Sequence, residues 1–217
     1  MAHLKRQEIP KSWPVPRKAK TTYVVSPNFS KNDGMPLLVV LRDVLKVAEN
    51  RKEVKKILHE KGLLKNAIVA HDEKNTLVLF DTITFVQSKK SYRMIIGENG
   101  KFELKEIKEN EAGKKIAKIV DKKMLRGKKV QINLSDGRNV LSNEKCGMGD
   151  SVVIDLKNKK IEKILPLKEK AKVLIFEGKH AGEEGIVEEI IKEKKMIKLK
   201  SNENEISVLI KQVMAID

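Results

Sequence analysis

The chain has 217 residues, a formal net charge of +16 and a pI of about 9.7, with 35% charged, 40% hydrophobic and only 4% aromatic residues. There is enough apolar side chain for a core, but so few aromatics favour several small modules over one thick one. A field of that sign attracts polyanions, nucleic acid before anionic membrane. The longest apolar run, Leu37 to Leu41, falls far short of the ~20 residues that a membrane span needs. The N-terminal stretch MAHLKRQEIPKSW has no apolar segment of the secretory kind. Cys146 is the single cysteine, which excludes an internal disulfide or a cysteine-based zinc site and fits a reducing cytoplasm.

The charge is unevenly spread. Residues 1–36 carry seven basic and two acidic side chains, 37–66 carry eight and four, and 104–129 carry ten and four, whereas 166–217 carry ten of each. A polyanion-facing surface is therefore expected from the first three segments. Residues 1–36 hold Pro10, Pro14, Pro16, Pro27 and Pro36 and no alternating apolar run, so they predict an extended arm. Within it, Lys11, Arg17 and Lys18 surround Trp13, the only tryptophan. Two readings stand side by side: a basic arm with an aromatic for stacking, or a tail whose tryptophan docks on the protein's own core. The scarcity of apolar surface predicts an arm that is protease-sensitive in the free protein and protected on its partner.

Leu41, Val44, Leu45 and Ala48 share a helical spacing, with Arg42, Lys46 and Glu49 as the polar remainder. In Arg51–Lys61, Lys52, Lys55, Lys56 and His59 fall on one face of a helix and Val54, Ile57 and Leu58 on the other. Asn50 fits an N-cap between the two helices, and Gly62 fits the position just past the second. This predicts a helical hairpin with a cationic outer surface, although a lysine-rich face is also the ordinary solvated outside of a helix. Short apolar runs at Ala67–Val69, Leu77–Phe80 and Ile83–Phe85 complete a module over 37–88.

From Ser88 the apolar period is two. Met94–Ile96 and Phe102–Ile107 flank a turn ending in Asn99-Gly100, a hairpin signal. Ile116, Ile119, Val120 and Lys123 predict a short helix. Val130–Leu134 and Val140–Leu141 flank the Asp136-Gly137 turn, and Val152–Leu156 pairs with Ile161–Leu165, giving a central β domain over 89–167. Five short strands follow within 168–217, at Ala171–Phe176, Gly185–Ile191, Met196–Lys200, Glu205–Ile210 and Val213–Ile216. Gly178, Gly182 and Gly185 mark structural turns, and the pattern predicts an SH3-like barrel.

Chemistry-bearing motifs are missing. There is no GxxxxGK[ST], GxGxxG or GxSxG, and His3, His59, His71 and His180 have no metal-ligand spacing. Neighbouring side chains such as His71 and Asp72 point apart, and Cys146 has no histidine nearby. No catalytic residue, metal, cofactor or small-molecule substrate is expected.

Several runs carry a family resemblance: His3-Leu4-Lys5-Arg6, Pro10–Lys18, Pro36–Lys46, Ser135–Asn139 and Gly178–Gly185. In that order they resemble the small-subunit ribosomal protein family S-four-e, in its archaeal rather than eukaryotic vocabulary. The resemblance implies an α+β, mostly β chain in four parts: the arm 1–36, an S-four type (alpha-L) RNA-binding module 37–88, the family's central β domain 89–167, and an SH3-like barrel with a KOW motif over 168–217. It implies a non-enzymatic, cytoplasmic constituent of the small ribosomal subunit, bound to 16S-type rRNA and to other small-subunit proteins. The residues expected to face RNA are Lys5, Arg6, Lys11, Trp13, Arg17, Lys18, Arg42, Lys46, Arg51, Lys52, Lys55, Lys56, Lys179 and His180. The chain departs from the family pattern at Asn66-Ala67-Ile68, where an Asp-Gly-Lys turn is usual, and over Asn28–Asp33. An accessory chain of an RNA-modifying enzyme and a KOW-type transcription or translation factor are the alternatives. The first lacks a catalytic domain, and the second leaves the Trp-Pro arm unexplained.

Overall fold

The computed structural model describes all residues except Met1, Ala2, Lys128, Asn143, Lys145, Lys192, Asn202, Glu203 and Asp217. Lys128 of the middle basic segment and Lys145 beside Cys146 therefore lie outside the described residues. The chain is mostly β, with few and short helices, and it forms two compact units.

The first unit comprises residues 1–96 and 101–113. It opens with β1 (Leu4–Lys5), which pairs antiparallel with β2 (Tyr23–Val24). The arm is not loose. Leu4, Ile9 and Trp13 are each at most 2% exposed, and the Trp13 indole N–H donates to the Lys31 carbonyl at 3.1 Å. Of the two readings of the tryptophan, the structure takes the internal one, because a buried indole finds both apolar contact and an acceptor there. Burial ties down Leu4 to Trp13, whereas residues 16–22, with Arg17, Lys18 and Lys20, are exposed and irregular, so protease access is expected there and not along the whole arm. The departing segment 28–33 is also tied down, since the Asn28 side-chain oxygen accepts from the Thr76 backbone N–H at 3.1 Å.

Next come β3 (Gly34–Pro36), a helical turn α1 (Leu37–Val39) and a π-helical turn over Val40–Val44. The first helix of the expected hairpin is thus only eight residues long. It closes at Lys46, which adopts φ 53°, and Leu45 N–H bonds back to Val40 O. Helix α2 (Arg51–His59) starts where expected: the Asn50 side-chain oxygen accepts from the backbone N–H of Lys52 at 2.9 Å and of Glu53 at 3.1 Å. Glu53 reaches back to Glu49 N–H at 2.8 Å, completing a reciprocal cap. At the other end Lys61, not Gly62, takes the left-handed conformation (φ 55°), while Gly62 N–H bonds to Ile57 O at 3.0 Å. The glycine is one place beyond the strained residue.

Strands β4 (Leu63–Lys65) and β5 (Ile68–Val69) are joined by Asn66-Ala67, both at positive φ (51° and 64°). That is a two-residue primed hairpin turn. Asn66 is 2% exposed and is spent internally, donating to Asp81 at 2.7 Å and accepting from Thr82 N–H at 3.0 Å. β6 (Thr76–Val78) pairs with β3, and β7 (Thr82–Phe85), β8 (Ser91–Ile96) and β9 (Phe102–Ile107) extend the β5-β4 pair into a five-stranded antiparallel sheet. The 94–107 hairpin therefore joins the sheet of the preceding module rather than the central domain expected from 89. Its edge finds a partner in β7, which a boundary placed by a change of apolar period cannot see. A single turn, α3 (Glu109–Ala112), ends the unit.

The second unit comprises 97–100 and 114–217. Its first strand, β10 (Lys114–Met124), replaces the helix expected around Ile116–Lys123. Ala117 and Ile119 are buried on one face, and the register slips between Ile119 and Asp121. That bulge changes the phase of the alternation, and a phase change in a strand mimics helical spacing. β11 (Val130–Leu134), β12 (Asn139–Leu141), β13 (Ser151–Asp155) and β14 (Lys160–Leu165) complete a sheet of order β12-β11-β10-β13-β14. The last five strands are β15 (Lys172–Ile175), β16 (Glu184–Ile191), β17 (Met196–Ser201), β18 (Asn204–Leu209) and β19 (Val213–Ala215). They form a second antiparallel sheet of order β18-β17-β16-β15-β19 around Val173, Ile175, Val187, Ile197, Leu199 and Val213. Gly178 and Gly182 adopt φ +102° and +98°, which a side chain resists, and a Cβ at Gly185 would stand 2.9 Å from Lys200 O.

Candidate nucleic-acid interface

Helix α2 has two opposed faces. Val54 is fully buried and Leu58 is 2% exposed, while Lys52, Lys55, Lys56 and His59 are exposed. Among the described residues, the only acidic partner within ion-pair reach on that face is Glu60, 3.9 Å from the Lys56 amine, and both side chains are at least half exposed. Such a pair is weak in water, so the three amines keep their charge available. Asn50 and the reciprocal cap fix where the helix begins, and hence which side chains share the outer face.

Arg51, although at the start of α2, has an internal partner. Its guanidinium forks the Glu73 carboxylate, with Nε 2.9 Å from both oxygens. The Glu73 side chain is 6% exposed, and the hydrogen bonds from Arg51 hold its carboxyl below the usual range against the opposing effect of burial. Arg42 likewise forks Asp43, at 2.9 and 2.8 Å. Arg6 is only 9% exposed and donates to Thr21 O at 3.0 Å, Pro16 O at 3.1 Å and Thr21 Oγ1 at 2.6 Å, stapling the arm to itself. Of the residues expected to meet RNA, Trp13 is thus a core side chain, and Arg6, Arg42 and Arg51 have structural partners. Lys5, Lys11, Arg17, Lys18 and Lys46 are exposed as expected. In the second unit Lys179 is exposed, and His180 Nδ1 lies 2.9 Å from Glu183 Oε1.

Sequence reasoning missed two lysines of β10. Lys115 is 2% exposed and pairs with Asp136 at 2.7 Å. Alternation was the available signal, because Lys115, Ala117 and Ile119 share one face once the segment is taken as a strand. Lys118, 6% exposed, donates from its amine to Ile210 O at 2.5 Å and Val213 O at 2.6 Å, and sits 5.6 Å from the Phe176 ring centroid. Burial pushes this amine down to about 8. A lysine in the unfolded chain titrates near ~10.4. Between those values the unfolded chain binds the extra proton, so the folded state gains stability as pH rises through that window, by about 3 kcal/mol in all. Below it, the charged amine stays buried and the gain is absent. The stability of the wild type relative to Lys118→Met should therefore rise between about pH 8 and pH 10.4, measured by denaturant unfolding. Parallel profiles for the two chains would mean that water reaches the amine.

Among the described residues, no helix is long and apolar enough to cross a membrane. The family model described as Ribosomal family S4e matches residues 88–161. A protein from Methanocella arvoryzae named small ribosomal subunit protein eS4 is 42% identical over 191 residues, 87% of this chain and 80% of that one. Proteins of the same name from Nanoarchaeum equitans and Haloarcula marismortui are 37% and 38% identical, over 88% and 87% of this chain and 82% of each of theirs. These relatives are archaeal, in line with the vocabulary of the sequence. The crystal structure of the 30S ribosomal protein S4e from Thermoplasma acidophilum has the same fold, with a TM-score of 0.74 at 22% identity over 86% of this chain and 96% of that one. With identity at this level over most of both chains, the protein belongs to the ribosomal S4e family.

Proposed function

We propose that the chain is a structural constituent of the small ribosomal subunit, held on 16S-type rRNA by the cationic surfaces of its first unit and in contact with other small-subunit proteins. Its relatives bear the name of a small-subunit protein. The observation that carries the RNA-binding part is the outer face of α2, where Lys52, Lys55 and Lys56 stand exposed opposite buried Val54 and Leu58. Amines so placed meet phosphates without reading bases. Residues 37–88 act as the S-four type module in this reading, with the exposed lysines of 1–36 as an added basic strip. The last sheet acts as an SH3-like barrel with a KOW-type turn at Gly178–Gly185, and two of those glycines stand at positive φ. The neutral charge of 166–217 limits that turn to local contact through Lys179, His180 and backbone N–H groups. No turnover is part of this role, and its place is the cytoplasm, on the subunit.

Sedimentation tests the assignment. In cells of the source organism the tagged chain should travel with the small subunit in near-stoichiometric amount and stay there through a moderate-salt wash. A chain found mostly at the top of the gradient would support the enzyme-accessory or factor reading instead.

A further inference from the structure

The first unit contains a pocket of about 450 Å³ that the rRNA-binding role does not by itself explain. Its size is within the range of about 300–1,000 Å³ typical of small-ligand sites. Four cations line it, Arg6, Arg42, Arg51 and Lys74, and no carboxylate does. Asp43 and Glu73 pair with two of these cations, which leaves a local surplus of positive charge. The forks have a second effect. Arg42 and Arg51 spend Nε and Nη2 on the carboxylates, and neither Nη1 has a partner among the described residues. Two guanidinium groups are thus held in fixed orientations with donors to spare, so little ordering entropy remains to be lost when an oxyanion binds.

The rest of the lining is not that of a simple anion site. His3 and Tyr23 stand side by side, with ring centroids 5.2 Å apart and planes inclined at 45°. Tyr23 is 55% exposed in a chain that is 4% aromatic. Val24 and Leu38 add apolar surface. A bare phosphate has no use for the rings, and an acidic peptide brings charge without a flat π face. A nucleotide has both.

We propose that this pocket takes one unstacked nucleotide of single-stranded RNA, its base against the Tyr23 and His3 rings and its phosphate on Arg42, Arg51 and Lys74. The inference rests on the rRNA-binding reading and adds to it a preference for an unpaired segment, since bases are free to meet aromatic rings only outside a duplex.

The test uses the full chain, fluorescence anisotropy and two probes: a single-stranded RNA of about eight nucleotides and a hairpin of matched composition. Tyr23→Ala should weaken single-strand binding by about 5- to 100-fold and leave hairpin binding nearly unchanged. Tyr23→Phe keeps the ring and should bind as the wild type does, which separates stacking from a folding defect. Lys74→Ala should reduce the slope of log affinity against log salt for the single strand by about 0.7. Equal losses of both probes in Tyr23→Ala would overturn the proposal, as would no loss of either. Competition by polyglutamate as effective as that by the single strand would overturn it too, in favour of an acidic protein segment. The two levels fail separately. A Tyr23→Ala chain that binds both probes as the wild type does and still travels with the subunit sinks the pocket alone. A wild type that never joins the subunit sinks the ribosomal role, while the single-strand comparison still reports on the pocket.

Discussion

Asp136→Asn should destabilise the second unit by about 3–5 kcal/mol, the usual cost of stripping one partner from a buried ion pair. Asp136 Oδ2 lies 2.7 Å from the Lys115 amine, with both side chains at most 3% exposed, and Arg138 Nε is 3.6 Å away. Its other oxygen accepts the Arg138 backbone N–H at 3.0 Å, so the same carboxylate braces the β11–β12 turn against β10. Asparagine keeps that turn acceptor and removes the carboxylate charge that the buried Lys115 ammonium faces at 2.7 Å. Adding Lys115→Met to Asp136→Asn removes the buried ammonium as well and should recover most of the loss, because a well-packed apolar side chain replaces a buried ion at little net cost. Hydrogen-exchange protection of the amides in residues 114–134 reads the effect within the unit. A loss below about 1 kcal/mol in the single variant would place the pair among solvated surface bridges.

The contrast between β10 and α2 shows where sequence patterns carry their meaning. On α2 the apolar spacing, the Asn50 cap and the basic face all agree on one helix, and one continuous helix keeps its phase. On β10 a bulge after Ile119 resets the phase, so residues 116, 119, 120 and 123 fall at helical intervals while the backbone is extended. The five C-terminal strands were legible because each is short, alternating and closed by turn residues. Lys115 and Lys118 were not, because their burial depends on partners distant in sequence: Asp136 for one, the carbonyls of Ile210 and Val213 for the other. Trp13 was ambiguous for the same reason, as its acceptor is the Lys31 carbonyl. The pocket was invisible in the sequence because Tyr23, Arg42 and Lys74 belong to three separate segments.

Replacing Lys52, Lys55 and Lys56 together by alanine should weaken rRNA binding at low salt and flatten its salt dependence. The three side chains are exposed, and the buried side of α2, Val54 and Leu58, is untouched. Alanine is at least as good a helix former as lysine, and Asn50 still caps the first turn, so the fold should persist. Each lysine that meets a phosphate releases condensed counterions, worth about 0.7 to 0.9 in the slope of log affinity against log salt. Loss of all three contacts should shrink that slope by roughly 2 to 3. The effect should be similar for rRNA fragments of different sequence, since phosphate contacts position without specifying. The matched control replaces Lys194, Lys195 and Lys211, all exposed, in the electrically neutral C-terminal segment; Lys192, beside them in sequence, lies outside the described residues. A salt titration on a 16S-type rRNA fragment compares the two triple variants. The control should keep most of the wild-type slope, because a neutral region does not draw in phosphates by field alone. Equal flattening by both triples would return the α2 face to the role of an ordinary solvated surface and move the RNA contact elsewhere on the chain.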